Sequence, residues 1–173
     1  MTPLPVALGG DGALVAWRLD RSRHAARWDS GEGAWQEGGR WNSVGRRAVY
    51  CSLDPATTIL EKAVHAGFAS LDVVPHVLTS LTVKNANAVT VVKPEDIPDP
   101  AWLAPGVVSA GQQAFGDGLL ARHDFIVVPS VVSAHSWNLV FDPARAAKRY
   151  VLRMQEPFVL DGRLATGRTR HPR

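Results

Sequence analysis

The sequence predicts a single α+β domain, in which mixed, mainly antiparallel sheets pack with a few helices. Two observations support this class: the predicted strands outnumber the predicted helices, and several strands follow one another without a helix between them. The length of 173 residues suits one domain that buries its own core, and no internal repeat is apparent. A doubly wound parallel fold is therefore disfavoured.

The first part of the chain predicts two strands that flank a long loop. Residues 14–19 are apolar enough for a short, partly buried strand, and residues 48–53 form a second one. The segment between them, residues 20–47, is polar and rich in glycine and tryptophan, without a sustained period. We expect a loop with about one helical turn there, and ordered loops of this length are usually functional.

A helix is predicted to start at Asp54 and Pro55 and to end near Gly67. Aspartate caps the free N–H groups of a first turn, and proline suits the first helical position. Helical spacing gives an apolar stripe made of Ile59, Leu60, Ala63 and Val64. Glu61 is then expected at the edge of the buried face.

The second part of the chain predicts five strands and one more helix. The strands are expected at residues 76–83, 88–92, 125–129, 138–141 and 150–160, and the helix at residues 109–123. Gly116 and Gly118 weaken this helix by about 1 kcal/mol each relative to alanine. Residues 93–105 are rich in proline and predict a loop.

Charge is concentrated at the C-terminus. The formal net charge is +3, but residues 162–173 hold four arginines and no acid, so the remainder carries +3 − 4 = −1. We therefore expect a loose lead-in over residues 1–12, a nearly neutral domain over residues 13–161 and a basic, mobile tail over residues 162–173. A nucleic-acid-binding domain carries its charge on a folded face, so direct nucleic-acid binding is not expected.

Several chemistries are disfavoured by composition and motifs. The only cysteine, Cys51, lies in a predicted strand and is expected to be a buried thiol, so neither a disulfide nor a thiolate metal cage forms within the chain. The six histidines lack paired metal-ligand spacing, and no phosphate-binding glycine motif or nucleophile elbow is present. No secretory signal or apolar run of ~20 residues occurs, so we expect a cytoplasmic protein.

The glycine-rich loop at residues 38–45 is the first candidate for a binding site. It places Arg40 and Asn42 in a backbone that glycine allows to approach a ligand closely. An arginine fork recognises phosphate or carboxylate at two points, which suits a small anionic ligand. The alternative is a surface loop that packs Trp41 into the core and in which Asn42 bonds to nearby backbone.

Seven separated segments resemble the RES-domain toxins of bacterial toxin–antitoxin pairs, which are named for an arginine, a glutamate and a serine. The matching residues occur in order along the chain and include 17–19, 31–34, 38–45, 48–50, 60–61, 128–130 and 138–143. The resemblance implies an ADP-ribosyltransferase-like fold, NAD as the substrate, no metal, and a helix-turn-helix (Xre-type) antitoxin that blocks the active site. By position it assigns the catalytic roles to Arg40, Glu61 and Ser130.

The same resemblance implies a pocket for NAD that includes Arg18 and Tyr50. Cleavage of the nicotinamide–ribose bond passes through an oxocarbenium-like centre, which a carboxylate such as Glu61 stabilises. Arg18 and Arg40 would hold the pyrophosphate and Tyr50 would stack on or wall the nicotinamide. Ser130 has no evident base beside it, so we expect it to orient the ligand, and Asn138 to support the same pocket.

Three functions remain open at this stage. The first is a toxin that depletes NAD by hydrolysis or phosphorolysis and so arrests growth. The second is a protein ADP-ribosyltransferase that modifies a specific cellular protein, which shares the first bond cleavage and differs in what attacks the sugar. The third is a non-catalytic nucleic-acid or regulatory binding module that uses the basic tail.

Overall fold

The computed structural model describes residues 13–165. The predicted lead-in at residues 1–12 and residues 166–173 of the predicted tail lie outside the described residues. Residues Gly162–Ala165, which the sequence assigns to a mobile tail, instead form a short helix whose first turn is closed by a bond from the Leu164 N–H to the Asp161 carbonyl. The described fold thus extends past residue 161, where the sequence predicts the domain to end.

A seven-stranded sheet forms the centre of the fold. Its strands are β1 (Leu14–Arg21), β2 (Val49–Ser52), β3 (His76–Val83), β4 (Val89–Val91), β5 (Phe125–Pro129), β6 (Trp137–Phe141) and β7 (Tyr150–Phe158). They are arranged in the order β4-β5-β6-β2-β1-β3-β7, and every neighbouring pair is antiparallel except β4 and β5. The predicted mixed, mainly antiparallel α+β class is confirmed.

Short helices connect the strands. The α-helices are α1 (Glu32–Glu37), α2 (Pro55–Ala66), α3 (Phe68–Val73), α4 (Ala110–Arg122) and α5 (Gly162–Ala165). Short 3-10 helices occur at Ser22–Arg27, Ala86–Ala88, Pro94–Asp96 and Pro100–Leu103. The sequence analysis missed α3, and the predicted loop at residues 20–47 contains a 3-10 helix as well as α1. Among residues 13–165 no helix is long and apolar enough to cross a membrane.

Helix α2 starts as the sequence predicts but buries a different face. Asp54 accepts hydrogen bonds from the Thr57 N–H at 2.7 Å and from the Thr57 hydroxyl at 2.6 Å, which caps the first turn. Two threonines and Ala63 are buried, whereas Val64 is 62% exposed. The prediction that Val64 belongs to the buried stripe was therefore wrong. The helix instead turns Thr58 inward, where its hydroxyl donates to the carbonyl of Trp17 at 2.7 Å.

The sheet separates two apolar clusters, and alternation along β2 assigns its side chains between them. Val49 and Cys51 lie in one cluster, and burial raises the pKa of the Cys51 thiol to about 12, as expected of a structural thiol. Tyr50 packs against the other cluster, which also contains Trp41 and is covered by α4. Because side chains alternate along a strand, Ser52 is on the same face as Tyr50.

Gly116 allows α4 to approach the glycine-rich loop. A Cβ atom at this position would lie 2.3 Å from the carbonyl oxygen of Trp41, which is backbone and cannot give way easily. At Gly118 the nearest atom to such a Cβ would be the end of the Arg122 side chain, at 3.7 Å. The two glycines, which the sequence treats alike, therefore differ in purpose.

Gly116→Ala is expected to lower the free energy of unfolding by roughly 1–3 kcal/mol, since it overpacks a tight contact. Gly118→Ala is the matched control in the same helix and is expected to raise it by up to about 1 kcal/mol, because alanine is the better helix former. Urea unfolding of both variants measures the difference. A Gly116→Ala protein as stable as the wild type would show that the helix and loop are not in close contact.

Candidate active site

Glu61 is the centre of a hydrogen-bonded cluster at the ends of the central strands β2, β5 and β6. Its Oε1 atom accepts from the Ser130 hydroxyl at 2.9 Å and from the Asn138 side-chain amide at 2.6 Å. The Asn138 oxygen in turn accepts from the Ser52 hydroxyl at 2.8 Å. Three residues, Ser52, Ser130 and Asn138, thus support this one carboxylate.

The strand register explains why these residues meet. Asn138 is paired with Ser52 of β2 on one side and with Val128 of β5 on the other, and Ser130 follows β5 directly. The Ser130 N–H donates to the Ser136 carbonyl at 2.9 Å, and its hydroxyl accepts from the Ser133 N–H at 3.1 Å, so the turn after β5 holds its hydroxyl in place. Helix α2 then places Glu61 over these strand ends.

The second carboxylate oxygen of Glu61 is available to a ligand. Both bonds from Asn138 and Ser130 go to Oε1, and within residues 13–165 no hydrogen bond to Oε2 is formed. Glu61 is half-buried, whereas Ser130 is buried beneath it. Because the donors occupy one oxygen and hold the group in one orientation, the other oxygen can accept from a bound hydroxyl or face a developing positive charge.

The glycine-rich loop is ordered around the side chain of Asn42. This fully buried amide donates to the carbonyls of Ala34, Ser43 and Arg46 at 2.8 to 3.1 Å, and its oxygen accepts from the Tyr50 hydroxyl at 2.7 Å. The interpretation that Asn42 orders its own loop agrees with these contacts.

Tyr50 joins this loop to the sheet. Its hydroxyl also accepts from the Trp41 N–H at 3.0 Å, and burial raises its pKa, so that it stays a neutral donor to Asn42. A Cβ atom on Gly39 would lie 2.6 Å from the Tyr50 hydroxyl oxygen, which explains why the loop needs glycine here. The ring of Tyr50 is only partly exposed, so its hydroxyl serves the loop and only its ring can face a ligand.

Arg40 projects from the loop into the vicinity of Glu61. Its Nη1 atom donates to the carbonyl of Trp102 at 3.1 Å. Burial lowers the pKa of the guanidinium, and the negative charge of Glu61 acts in the opposite direction. The loop carbonyl next to it, that of Gly39, accepts from the Gln113 amide at 3.0 Å, so α4 helps to hold Arg40 in place.

Arg18 bridges the two halves of the sheet. Strands β1 and β2 share a single residue pair, Trp17 opposite Ser52. Close to this pair the Arg18 side chain donates from Nη1 to the carbonyl of Tyr50 at 2.8 Å, while Nε and Nη2 both donate to Asp20. Arg18 thus hydrogen-bonds to the backbone of Tyr50. Within residues 13–165 it forms no hydrogen bond to Glu61, Ser130 or Asn138.

The structure brings some of the predicted site residues together and keeps others apart. Glu61, Ser130 and Asn138 form one cluster, and the negative charge of Glu61 acts on the pKa of Arg40. Tyr50 and Arg18 are joined by a backbone contact. Among residues 13–165 no group of three or more histidine, cysteine, aspartate or glutamate side chains is arranged to hold a metal ion.

Sequence reasoning missed three contributors to the site. Ser52 supports Asn138, Asp20 binds Arg18, and the carbonyl of Trp102 holds Arg40. Asp20 is two residues after Arg18 on a strand, which puts both side chains on one face. The spacing of this pair could therefore have predicted their contact from the sequence. The other two contacts join distant parts of the chain and leave no local pattern.

The fold and the site together define a single-domain α+β protein with a carboxylate-centred site beside a glycine-rich arginine loop. The chain belongs to the RES domain family, whose model matches residues 15–161. The resemblance to RES-domain toxins that the separated segments predict is confirmed.

Curated relatives and a solved structure agree with this assignment. "Toxin Res" of Photorhabdus laumondii is 28% identical over 154 residues, which cover 87% of this chain and 97% of the relative. The "Prs ADP-ribosylating toxin" of a Sphingobium species is 29% identical and covers 86% and 94%, respectively. The structure of the M. tuberculosis MbcT–MbcA toxin–antitoxin complex contains a chain with a TM-score of 0.69 at 21% identity, with 86% of each chain covered, which shows a shared fold.

Proposed function

We propose that this protein is the toxin of a toxin–antitoxin pair and that it cleaves NAD at the nicotinamide–ribose bond, which depletes NAD and arrests growth. The observation that carries the proposal is the carboxylate of Glu61, oriented by Ser130 and Asn138 through one oxygen and open at the other. Membership of the RES domain family and the relatives named as toxins support it.

The reaction needs one stabilised cationic centre. The bond between the ribose C1′ and the nicotinamide nitrogen breaks, the electron pair leaves with nicotinamide, and positive charge grows on the sugar. Oε2 of Glu61 accepts from a ribose hydroxyl and stabilises this charge. In hydrolysis a water oxygen then bonds to C1′ and gives its proton to solvent, whereas in phosphorolysis a phosphate oxygen forms that bond.

The arginines supply the binding of the anionic part of the substrate. Arg40, near Glu61, and Arg18, at the junction of β1 and β2, would both donate to the pyrophosphate. One Arg40 N–H donates to the neutral Trp102 carbonyl at 3.1 Å, and the guanidinium has further N–H groups that would bond more strongly to a charged acceptor. The ring of Tyr50, fixed through its hydroxyl, would form the wall against nicotinamide.

The proposed partner is an antitoxin that covers this site. The structural neighbour named above was solved as a toxin–antitoxin complex, which supports a protein partner of this kind. We propose a helix-turn-helix antitoxin of the Xre type, present with the toxin in the cytoplasm. Co-expression with such an antitoxin should restore growth and yield a complex that releases no nicotinamide.

A second candidate function is the transfer of ADP-ribose to a protein. It is favoured by the relative that is named an ADP-ribosylating toxin, and it uses the same first bond cleavage. The two functions differ in the nucleophile that attacks C1′. They are therefore separated by the fate of the ADP-ribose part and not by the site residues.

Product analysis distinguishes these outcomes. Purified protein is incubated with NAD labelled in the adenine, with and without phosphate and with and without cell lysate, and the labelled products are identified by mass spectrometry. Free ADP-ribose indicates hydrolysis, its 1″-phosphate indicates phosphorolysis, and a labelled host protein indicates ADP-ribosylation. Intact NAD in all four conditions would refute both candidate functions.

The third function, a binding module, makes a different prediction. Phosphate contacts release counterions, so binding through the basic tail would be strongly salt-dependent. If DNA binding falls steeply with salt and disappears when residues 162–173 are removed, while NAD stays intact, the binding module is the better description.

Arg40→Gln is expected to lower kcat/KM for NAD by roughly 10²-fold, because one positioned charged donor near the reacting centre is lost. Arg27→Gln is the matched control, since the Arg27 side chain is 69% exposed and pairs with Glu32 at the surface. Initial rates of nicotinamide release measure both. Equal rates for Arg40→Gln and the wild type would show that Arg40 does not contribute to the reaction.

A further inference from the structure

Asp20 is a buried carboxylate that the proposed chemistry leaves without a role. The residue is 9% exposed, and its side chain lies between two cations, Arg18 and Lys62. A buried unpaired carboxylate is costly, so its partners must be arranged closely around it. The details of this arrangement decide what Arg18 can bind.

The hydrogen bonds of Arg18 can be counted donor by donor. A guanidinium has five N–H bonds. Nε and one N–H of Nη2 go to the two oxygens of Asp20, and one N–H of Nη1 goes to the Tyr50 carbonyl. Within residues 13–165 one N–H on each terminal nitrogen is left, and two such donors suit two oxygens of a phosphate group.

The charge of the cluster favours an anion. Arg18 and Asp20 alone would be neutral, but the Lys62 ammonium lies 3.9 Å from Asp20 Oδ1 and restores a net positive charge. Burial lowers the pKa of Lys62, and the charge of Asp20 opposes this effect. Lys62 follows Glu61 directly on α2, so this cation is next to the proposed catalytic carboxylate in the chain.

We infer that Asp20 is a positioning residue, which holds the Arg18 guanidinium at the junction of β1 and β2 so that two of the Arg18 donors are directed away from Asp20. Lys62 compensates the negative charge of Asp20. The pyrophosphate of NAD then binds to a cation that is fixed in place. The inference rests on the proposed function in its choice of ligand. The alternative is that Asp20, Arg18 and Lys62 form an ion-pair network that stabilises the fold only.

Asp20→Asn tests the inference against ADP-ribose, which contains the pyrophosphate but no bond to cleave. We expect the Kd for ADP-ribose and the KM for NAD to rise about tenfold, with kcat changed by less than about twofold, since a network neighbour and not the reacting group is altered. Asp161→Asn is the matched control: Asp161 also binds the side chain of an arginine two residues away, Arg163, on the surface. It should change none of these values.

A merely stabilising role predicts different results. If Asp20 acts through Arg18, adding Asp20→Asn to Arg18→Gln should not weaken ADP-ribose binding further. A folded Asp20→Asn protein with unchanged Kd and KM, or an additive loss in the double variant, would overturn the inference. Should Asp20→Asn fail to fold, Lys62→Met decides: a raised Kd supports the inference, and an unchanged Kd overturns it.

The wild-type protein separates this inference from the proposed function. If it binds ADP-ribose in an Asp20-dependent manner but releases no nicotinamide from NAD, the proposed cleavage fails and the pyrophosphate site stands. If it releases nicotinamide and Asp20→Asn behaves identically, only the inference fails. If it does not bind ADP-ribose at all, the inference is wrong.

Discussion

Glu61→Gln is expected to lower kcat for nicotinamide release by roughly 10²–10³ while the protein stays folded. Glutamine keeps an oxygen that can accept from Ser130 and Asn138, so the cluster can persist. Its other end is an uncharged NH₂ donor, which neither stabilises positive charge on the ribose nor accepts from a ribose hydroxyl. The loss therefore falls on the chemical step.

Steady-state rates with NAD and thermal unfolding of the same preparation measure the two sides of this prediction. Glu156→Gln is the control, because Glu156 is an exposed glutamate on the edge strand β7 and should behave like the wild type. The assignment of Glu61 would be contradicted by a folded variant with wild-type kcat. Toxicity in cells should follow the same order, so that expression of Glu61→Gln no longer arrests growth.

Asn42→Ala is expected to lower the free energy of unfolding by roughly 2–4 kcal/mol and to reduce activity as well. The substitution removes the hydrogen bonds that Asn42 makes to three backbone carbonyls and to the Tyr50 hydroxyl, and Asn42 has no exposed surface through which water could replace them. The loop that carries Arg40 then loses its internal support. A rise in KM for NAD should accompany the loss of stability.

Asn87→Ala is the matched substitution for this experiment. Asn87 is exposed in the turn before β4, so its replacement should change the unfolding free energy by less than about 0.5 kcal/mol. Urea unfolding of both variants gives the comparison. If the two substitutions cost the same, the loop is not held by Asn42 in the way its hydrogen bonds indicate.

The parts of the fold that local chemistry determines were predictable. Asp54 and Pro55 start α2, Gly67 with a positive φ of 76° ends it, and the alternating segment His76–Val83 is strand β3 over its whole predicted length. In these places capping, chain conformation and hydrophobic period all indicate the same element. The type and the bounds of these elements could therefore be predicted from the local sequence.

The parts that depend on tertiary contacts were not predictable in the same way. Helix α3 has only six residues, too few for a stable helix in isolation, and it forms because Leu71 is buried against α2 and the sheet. Val64 was placed in the core because the period counts any apolar residue, whereas the fold turns two threonines of α2 inward. Both errors arise where packing overrides the local signal.

The candidate site shows the same division. The resemblance to the RES-domain toxins selected Glu61, Ser130 and Asn138, which hydrogen-bond across separations of 69 and 77 residues that no local pattern encodes. The support from Ser52 and the Trp102 carbonyl became visible only in three dimensions. Their function is positional, and positions of this kind depend on the strand register.

The most direct test of the account is the release of free nicotinamide when the purified protein is incubated with NAD, with and without phosphate. The account predicts that nicotinamide appears in step with the loss of NAD and that Glu61→Gln nearly abolishes its appearance. It would be contradicted if the wild-type protein released no nicotinamide in either condition and labelled no protein in a lysate supplied with labelled NAD.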